Sequence, residues 1–123
     1  MKTLTVRQPW ASLIMSGDKT LENRNWATPY RGRLAIHSAL ALAPFVERAQ
    51  VNTMAELGLC PPVDLATAPR GVVLGTVQLV DIKIGLDSIW TNDSTYQWIL
   101  QDPQLFASPI PAPGRLGLWE WEE

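Results

Sequence analysis

Between Val72 and Ile84 the apolar residues change sides partway along a single extended stretch. Val73, Val77 and Leu79 share one parity, whereas Val80, Ile82 and Ile84 share the other. Successive side chains of a strand point to opposite faces, so a straight strand would expose one of these sets. A bulge or sharp bend near Leu79 and Val80 removes the conflict, and bends of this kind turn the corners of small barrels. The chain therefore reads as one whose sheet curves.

The other segments fit that frame. Leu4 and Val6 alternate with Thr3, Thr5 and Arg7, which predicts a first strand over residues 2–7. Pro9 suits the first turn of a helix, Trp10, Leu13 and Ile14 recur at helical spacing, and Gly17 fits the left-handed position past its end. Residues 20–26 form a strand without a core face: Glu22, Arg24 and Trp26 project one way, Leu21, Asn23 and Asn25 the other. Such a strand is either an edge or the wall of a polar cleft. Gly32–Ser38 reads as a third strand, with Leu34 and Ile36 inward and Arg33 and His37 opposite.

Residues 39–58 are the long helical candidate. Pro44 starts its main part, Leu42, Phe45, Val46, Ala49 and Leu57 form an apolar stripe, Glu47 and Arg48 face water, and Gly58 is the stop. A loop rich in proline and alanine follows. Residues 86–101 run from a helical turn into a strand, Pro103, Pro109, Pro111 and Pro113 impose an extended connection, and residues 116–121 form a closing strand. Short strands with helices inserted early indicate an α+β fold, a small mixed β-barrel with flanking helices, in one domain over residues 1–123.

With 123 residues, one core can bury roughly two thirds of the unfolded surface without disulfides or metal. No apolar run reaches the about 18 residues of a membrane span, and no signal-like block follows Lys2, so the expected location is the cytoplasm, with no membrane partner. Cys60 is the lone cysteine, and with His37 it makes no zinc site, so neither metal nor cofactor is expected, carboxylate-bound magnesium staying open.

The net charge of −2 is unevenly spread. Residues 1–36 hold six bases (Lys2, Arg7, Lys19, Arg24, Arg31, Arg33) against Asp18 and Glu22, a local excess of +4. The remainder holds four bases against ten acids. A chain that repels a polyanion as a whole can still offer it one small positive site. Within that basic part lie Arg7-Gln8-Pro9-Trp10 and the run from Gly17 to Trp26. They combine groups for holding phosphate (Lys19, Arg24, Arg7, Arg33), an indole face for stacking (Trp10 or Trp26), and a carboxylate, Glu22, that accepts from an exocyclic amine. Gly17 lets a backbone approach closely.

The order Leu4-Thr5-Val6-Arg7-Gln8-Pro9-Trp10, then Gly17-x-Lys19-x-x-Glu22-x-Arg24, then Tyr30-Arg31-Gly32-Arg33-Leu34-Ala35-Ile36-His37, with Gly114-Arg115-Leu116-Gly117-Leu118-Trp119 late in the chain, resembles the ASCH domain of the PUA-like superfamily. The resemblance implies a closed or nearly closed barrel with a helix beside a cleft, and binding of RNA or its nucleotides. One branch with a similar lysine motif hydrolyses acetylated cytidine through a lysine, a threonine and a glutamate. By position its lysine falls on Lys19 and its threonine on Glu22, Thr20 lies two residues earlier, and Asp87 and Asp93 are the acids nearest its glutamate.

Binding of RNA, a nucleotide or a nucleoside is thus the first expectation, with Arg7, Trp10, Gly17, Lys19, Glu22, Arg24, Trp26, Arg33 and His37 as the binding set. The alternatives are an amide hydrolase acting on acylated cytidine through Lys19, Glu22 and Thr20, a ribonuclease using Lys19 and His37, and an adaptor for a protein partner.

Overall fold

The computed structural model describes residues 1–122. Its elements run β1 (Lys2–Val6), α1 (Trp10–Met15), β2 (Leu21–Arg24), β3 (Gly32–Ser38), α2 (Phe45–Glu56), β4 (Val72–Ile84), β5 (Tyr96–Pro111) and β6 (Leu118–Glu120). All strands join one six-stranded sheet in the order β2-β5-β4-β3-β1-β6. The β1–β3 pair is parallel, with Thr5 beside His37, and every other pair is antiparallel.

The sheet curls into a half-barrel. Strands β2 and β1 are separated by three others in the hydrogen-bonded order, yet Arg24 Nη2 of β2 donates to the carbonyl of Thr5 in β1 at 2.7 Å. Only a strongly curved sheet brings those strands within one side chain of each other. The curvature arises where the apolar pattern of β4 predicts it: the β4–β5 register slips between Leu79 and Asp81, and two further slips fall between Val73 and Gly75 and between Thr76 and Gln78. Gly75 sits where the strands crowd, since a Cβ there would run into the backbone of Gln104 and Leu105 and the methyl of Met15.

The concave face carries the main core: Leu4, Val6, Leu34, Ile36, Leu79 and Trp98, closed by Ile14 and Met15 of α1. With six residues α1 is too short to hold itself, and burial of Ala11, Leu13, Ile14 and Met15 keeps it helical. Gly17 takes the expected left-handed conformation, at φ +85°. Leu13, Leu21, Val51, Cys60 and Trp90 form a second cluster, and Ala35, Val73, Trp119 and Trp121 a third.

Two expectations are corrected. The helix after β3 covers only Phe45–Glu56, because Pro44 holds an extended ψ of 152° and residues 39 and 43 donate to the carbonyls of Val6 and Gln8 instead of to a helix. Its apolar stripe does not pack either: Phe45, Val46 and Leu57 are exposed, and Val51 is its one buried residue. The prolines after residue 102 also do not end the ladder, as β5 continues to Pro111. Strand β2 covers only Tyr96–Ile99 of β5, so beyond that point one edge of β5 is open, and the β4 register skips from Leu105 to Ile110. An imide nitrogen sacrifices nothing at an open edge or a bulge.

Candidate functional site

The mouth of the half-barrel is a cleft of about 1020 Å³ between β2, the N-terminal ends of α1 and α2, and the connection from β5 to β6. Strand β2 is an edge and a cleft wall at once. Leu21 enters the second core cluster, while Glu22 and Arg24 line the cleft.

Glu22 is the hub of the site. It is 6% exposed, and Lys19 beneath it is 3% exposed. Lys19 Nζ donates to Glu22 Oε1 at 3.1 Å and to the Leu21 carbonyl at 2.5 Å, and lies 5.1 Å from the centroid of the Trp10 indole. Arg24 donates to Glu22 Oε2 through Nε at 3.2 Å and Nη2 at 2.9 Å. An ionised carboxylate offers about four lone-pair sites, and these donors occupy two on Oε2 and one on Oε1. One acceptor site of Oε1 is therefore unfilled.

The electrostatics follow from burial. Desolvation lowers the Lys19 pKa from its ordinary 10.5, against the opposing pull of Glu22. Desolvation alone would raise Glu22, but the adjacent Lys19 and Arg24 charges and their hydrogen bonds outweigh it and hold the carboxyl below 4.5. A carboxyl with a lowered folded pKa contributes stability that is complete above its unfolded value and is lost as pH falls through the folded one. Acid titration of the wild type, followed by circular dichroism, is expected to show stability declining below pH 4.5. A Glu22→Gln variant should lack that component.

The remaining candidates divide by position. Trp10, Arg7 and His37 line the same cleft as Glu22 and Arg24. Trp10 is half-buried, its ring edge-on to Trp90, and its Nε1 donates to Glu47 at 3.2 Å. His37 is pinned: Nε2 lies 2.7 Å from the Ala112 carbonyl and Nδ1 3.3 Å from the Thr5 hydroxyl. Lys19 sits behind the cleft wall and borders a second pocket of about 200 Å³ together with Gly17 and Thr20. Two candidates line neither pocket. Trp26 packs edge-on against Trp98, 4.8 Å between centroids, and Arg33 pairs at 3.1 Å with Asp102, which borders the smaller pocket.

The cleft also holds three residues outside the expected binding set, namely Glu47, Asn25 and Arg115. Glu47 was expected to face water; instead it takes the Trp10 indole proton, an arrangement invisible until α2 is folded against α1. Arg115 lies far from the basic segment, and only the return of the chain beside β1 brings it there. Among the described residues no group of three or more His, Cys, Asp or Glu is placed to hold a metal ion. Nor, among the described residues, is any helix long and apolar enough to cross a membrane.

Comparison with known proteins agrees with this architecture. The chain is 31% identical over 125 aligned residues to activating signal cointegrator 1 of Homo sapiens and 30% identical over the same length to that of Mus musculus. Each alignment covers 95% of this chain and 22% of the relative, so the chain spans under a quarter of the length of those proteins. The family model for the ASCH domain matches residues 4–102, from β1 through the first half of β5. That match takes in both β2 and the Lys19–Glu22–Arg24 cluster, and the chain belongs to the ASCH domain family.

Proposed function

We propose that this protein binds RNA by receiving an unpaired, cytosine-type base in the cleft beside Trp10 and Glu22. Membership of the ASCH family suggests RNA binding at the level of the family. What supports the finer reading is the free acceptor site on Glu22 Oε1, next to a half-buried indole. A buried carboxylate held ionised by two cations accepts and does not donate, so it favours an exocyclic amine and is repelled by a carbonyl oxygen. Cytosine carries that amine where uracil carries oxygen. The indole supplies an apolar face, which by alanine substitution is worth about 1–3 kcal/mol per base.

Titration with cytidine and uridine, followed by tryptophan emission, is expected to favour cytidine by about tenfold or more, the discrimination of a well-placed base-edge contact. Glu22→Gln should remove most of that preference while the fold, checked by circular dichroism, persists. Equal response to both nucleosides in the wild type would refute the role given to Glu22.

A second reading, hydrolysis of an acylated cytidine, draws on one observation: desolvated Lys19, with its lowered proton affinity, touches Glu22. In that reaction water adds to the acyl carbon, the C–N bond breaks, and the amine leaves with a proton, giving cytidine and a carboxylate. Glu22, which lines the cleft, would handle the proton with Lys19 bonded to it from behind the wall, whereas Thr20 opens on the smaller pocket. Acetylcytidine surviving prolonged incubation would end this reading. For a ribonuclease, Lys19 and His37 would have to share one surface, yet Lys19 is behind the wall and both His37 ring nitrogens are engaged.

A further inference from the structure

The base-binding reading leaves two arginines of the cleft without a task. Arg7, just past β1, and Arg115, between β5 and β6, both line the cleft and are exposed, and among the described residues neither has an ion-pair partner. Lys2, Arg31 and Arg33 pair locally, with Glu120 at 2.9 Å, Asp81 at 3.7 Å and Asp102 at 3.1 Å, and the other cations outside the ion pairs, Arg48, Arg70 and Lys83, do not line the cleft. In a chain with an overall charge of −2, the cleft lining carries Arg7, Arg24 and Arg115 against Glu22 and Glu47, a local excess of one positive charge.

The connection that carries Arg115 is anchored on the preceding residues. The Ala112 carbonyl binds His37 Nε2, and Gly114 rests against the imidazole so closely that a Cβ would come within 2.7 Å of Cε1. The Thr5 hydroxyl lies 3.3 Å from His37 Nδ1 and accepts from Trp119 Nε1 at 3.0 Å, while the Thr5 carbonyl accepts from Arg24. A single residue of β1 thus couples the carboxylate end of the cleft to the Arg115 end. His37 serves here as a positioning residue for the connection that carries Arg115.

The cleft also exceeds a lone base. Its volume lies at the top of the roughly 300–1,000 Å³ range of small-molecule sites. On its lining, Leu40 and Leu116 remain 74% and 98% exposed, leaving apolar surface for a neighbouring nucleoside.

We infer that the ligand is a strand of single-stranded RNA and not a free nucleoside, with Arg7 and Arg115 gripping the phosphodiesters beside the bound base. This rests on the base-binding reading above but has its own signature. Each phosphate neutralised on a single strand contributes roughly −0.7 to the slope of log affinity against log salt. A cytidylate hexamer should therefore bind at least tenfold more tightly than cytidine, with a slope of about −1.4 for two phosphates. Arg7→Ala and Arg115→Ala should each reduce that slope by about 0.7. Both side chains are exposed, so the fold is not at stake.

Cytidine and cytidine monophosphate complete the comparison. A hexamer no tighter than cytidine, a monophosphate as tight as the hexamer, or an unchanged slope in Arg115→Ala would each overturn the inference. Glu22→Gln separates the two claims: loss of cytosine preference with the arginine-dependent slope intact upholds the strand grip, and an intact preference with no slope refutes the grip alone.

Discussion

Replacing Glu22 by alanine is expected to destabilise the fold by about 3–5 kcal/mol, the usual cost of removing one partner from a buried ion pair. The magnitude arises less from the lost attraction than from what is left behind. Lys19, 3% exposed, would keep only the Leu21 carbonyl, and Arg24 would lose the acceptor for both of its donors to Glu22. Removing the cation together with the acid avoids that penalty, so Lys19→Met with Glu22→Leu should be less destabilised than Glu22→Ala alone. Urea unfolding of the three proteins measures this directly. A Glu22→Ala variant within about 0.5 kcal/mol of wild type, the effect of an ordinary surface change, would show that the cluster is not held as described.

The second large effect is expected at Trp98. It is fully buried, stands opposite Glu22 in the β2–β5 register, packs against the Trp26 ring, and donates its Nε1 proton to the Trp26 carbonyl at 3.1 Å. Truncation to alanine removes a large core side chain and should cost about 3–5 kcal/mol. Trp98→Phe retains most of the packing and loses the hydrogen bond, for which about 1 kcal/mol is expected, together with a smaller loss from reduced volume. Strand β2 is four residues long and β5 is its only strand neighbour, so Trp98→Ala should also loosen the cleft wall that carries Glu22. Thermal unfolding with parallel cytidine titration separates the two consequences.

The curl of the sheet was legible because it is written in one strand: the change of parity at Leu79 and Val80 leaves no flat solution. The Lys19–Glu22–Arg24 cluster was legible for a similar reason, since residues two and three apart around a strand start are forced into proximity. Failures came where partners are remote in sequence. The extent of α2 depended on Pro44 and on backbone bonds from Ala39 to the end of β1 and from Ala43 to Gln8, which no local pattern announces. The prolines of β5 misled because their cost depends on which edge of the strand is open, a property of the assembled sheet. The placement of Trp26 against Trp98, and of Arg33 beside Asp102, likewise depended on where β5 runs.

The central claim is that a base enters beside Trp10 and is held by the free acceptor of Glu22. Indole proton resonances of the six tryptophans in the nitrogen-15-labelled protein, recorded during cytidine titration, test it at the atoms concerned. A saturable shift is expected of Trp10 Nε1–H, now bonded to Glu47, and of the Arg24 Nε–H signal, with Trp98 unmoved. A saturable response confined to other tryptophans, or no response at Trp10 with cytidine in large excess, would contradict it.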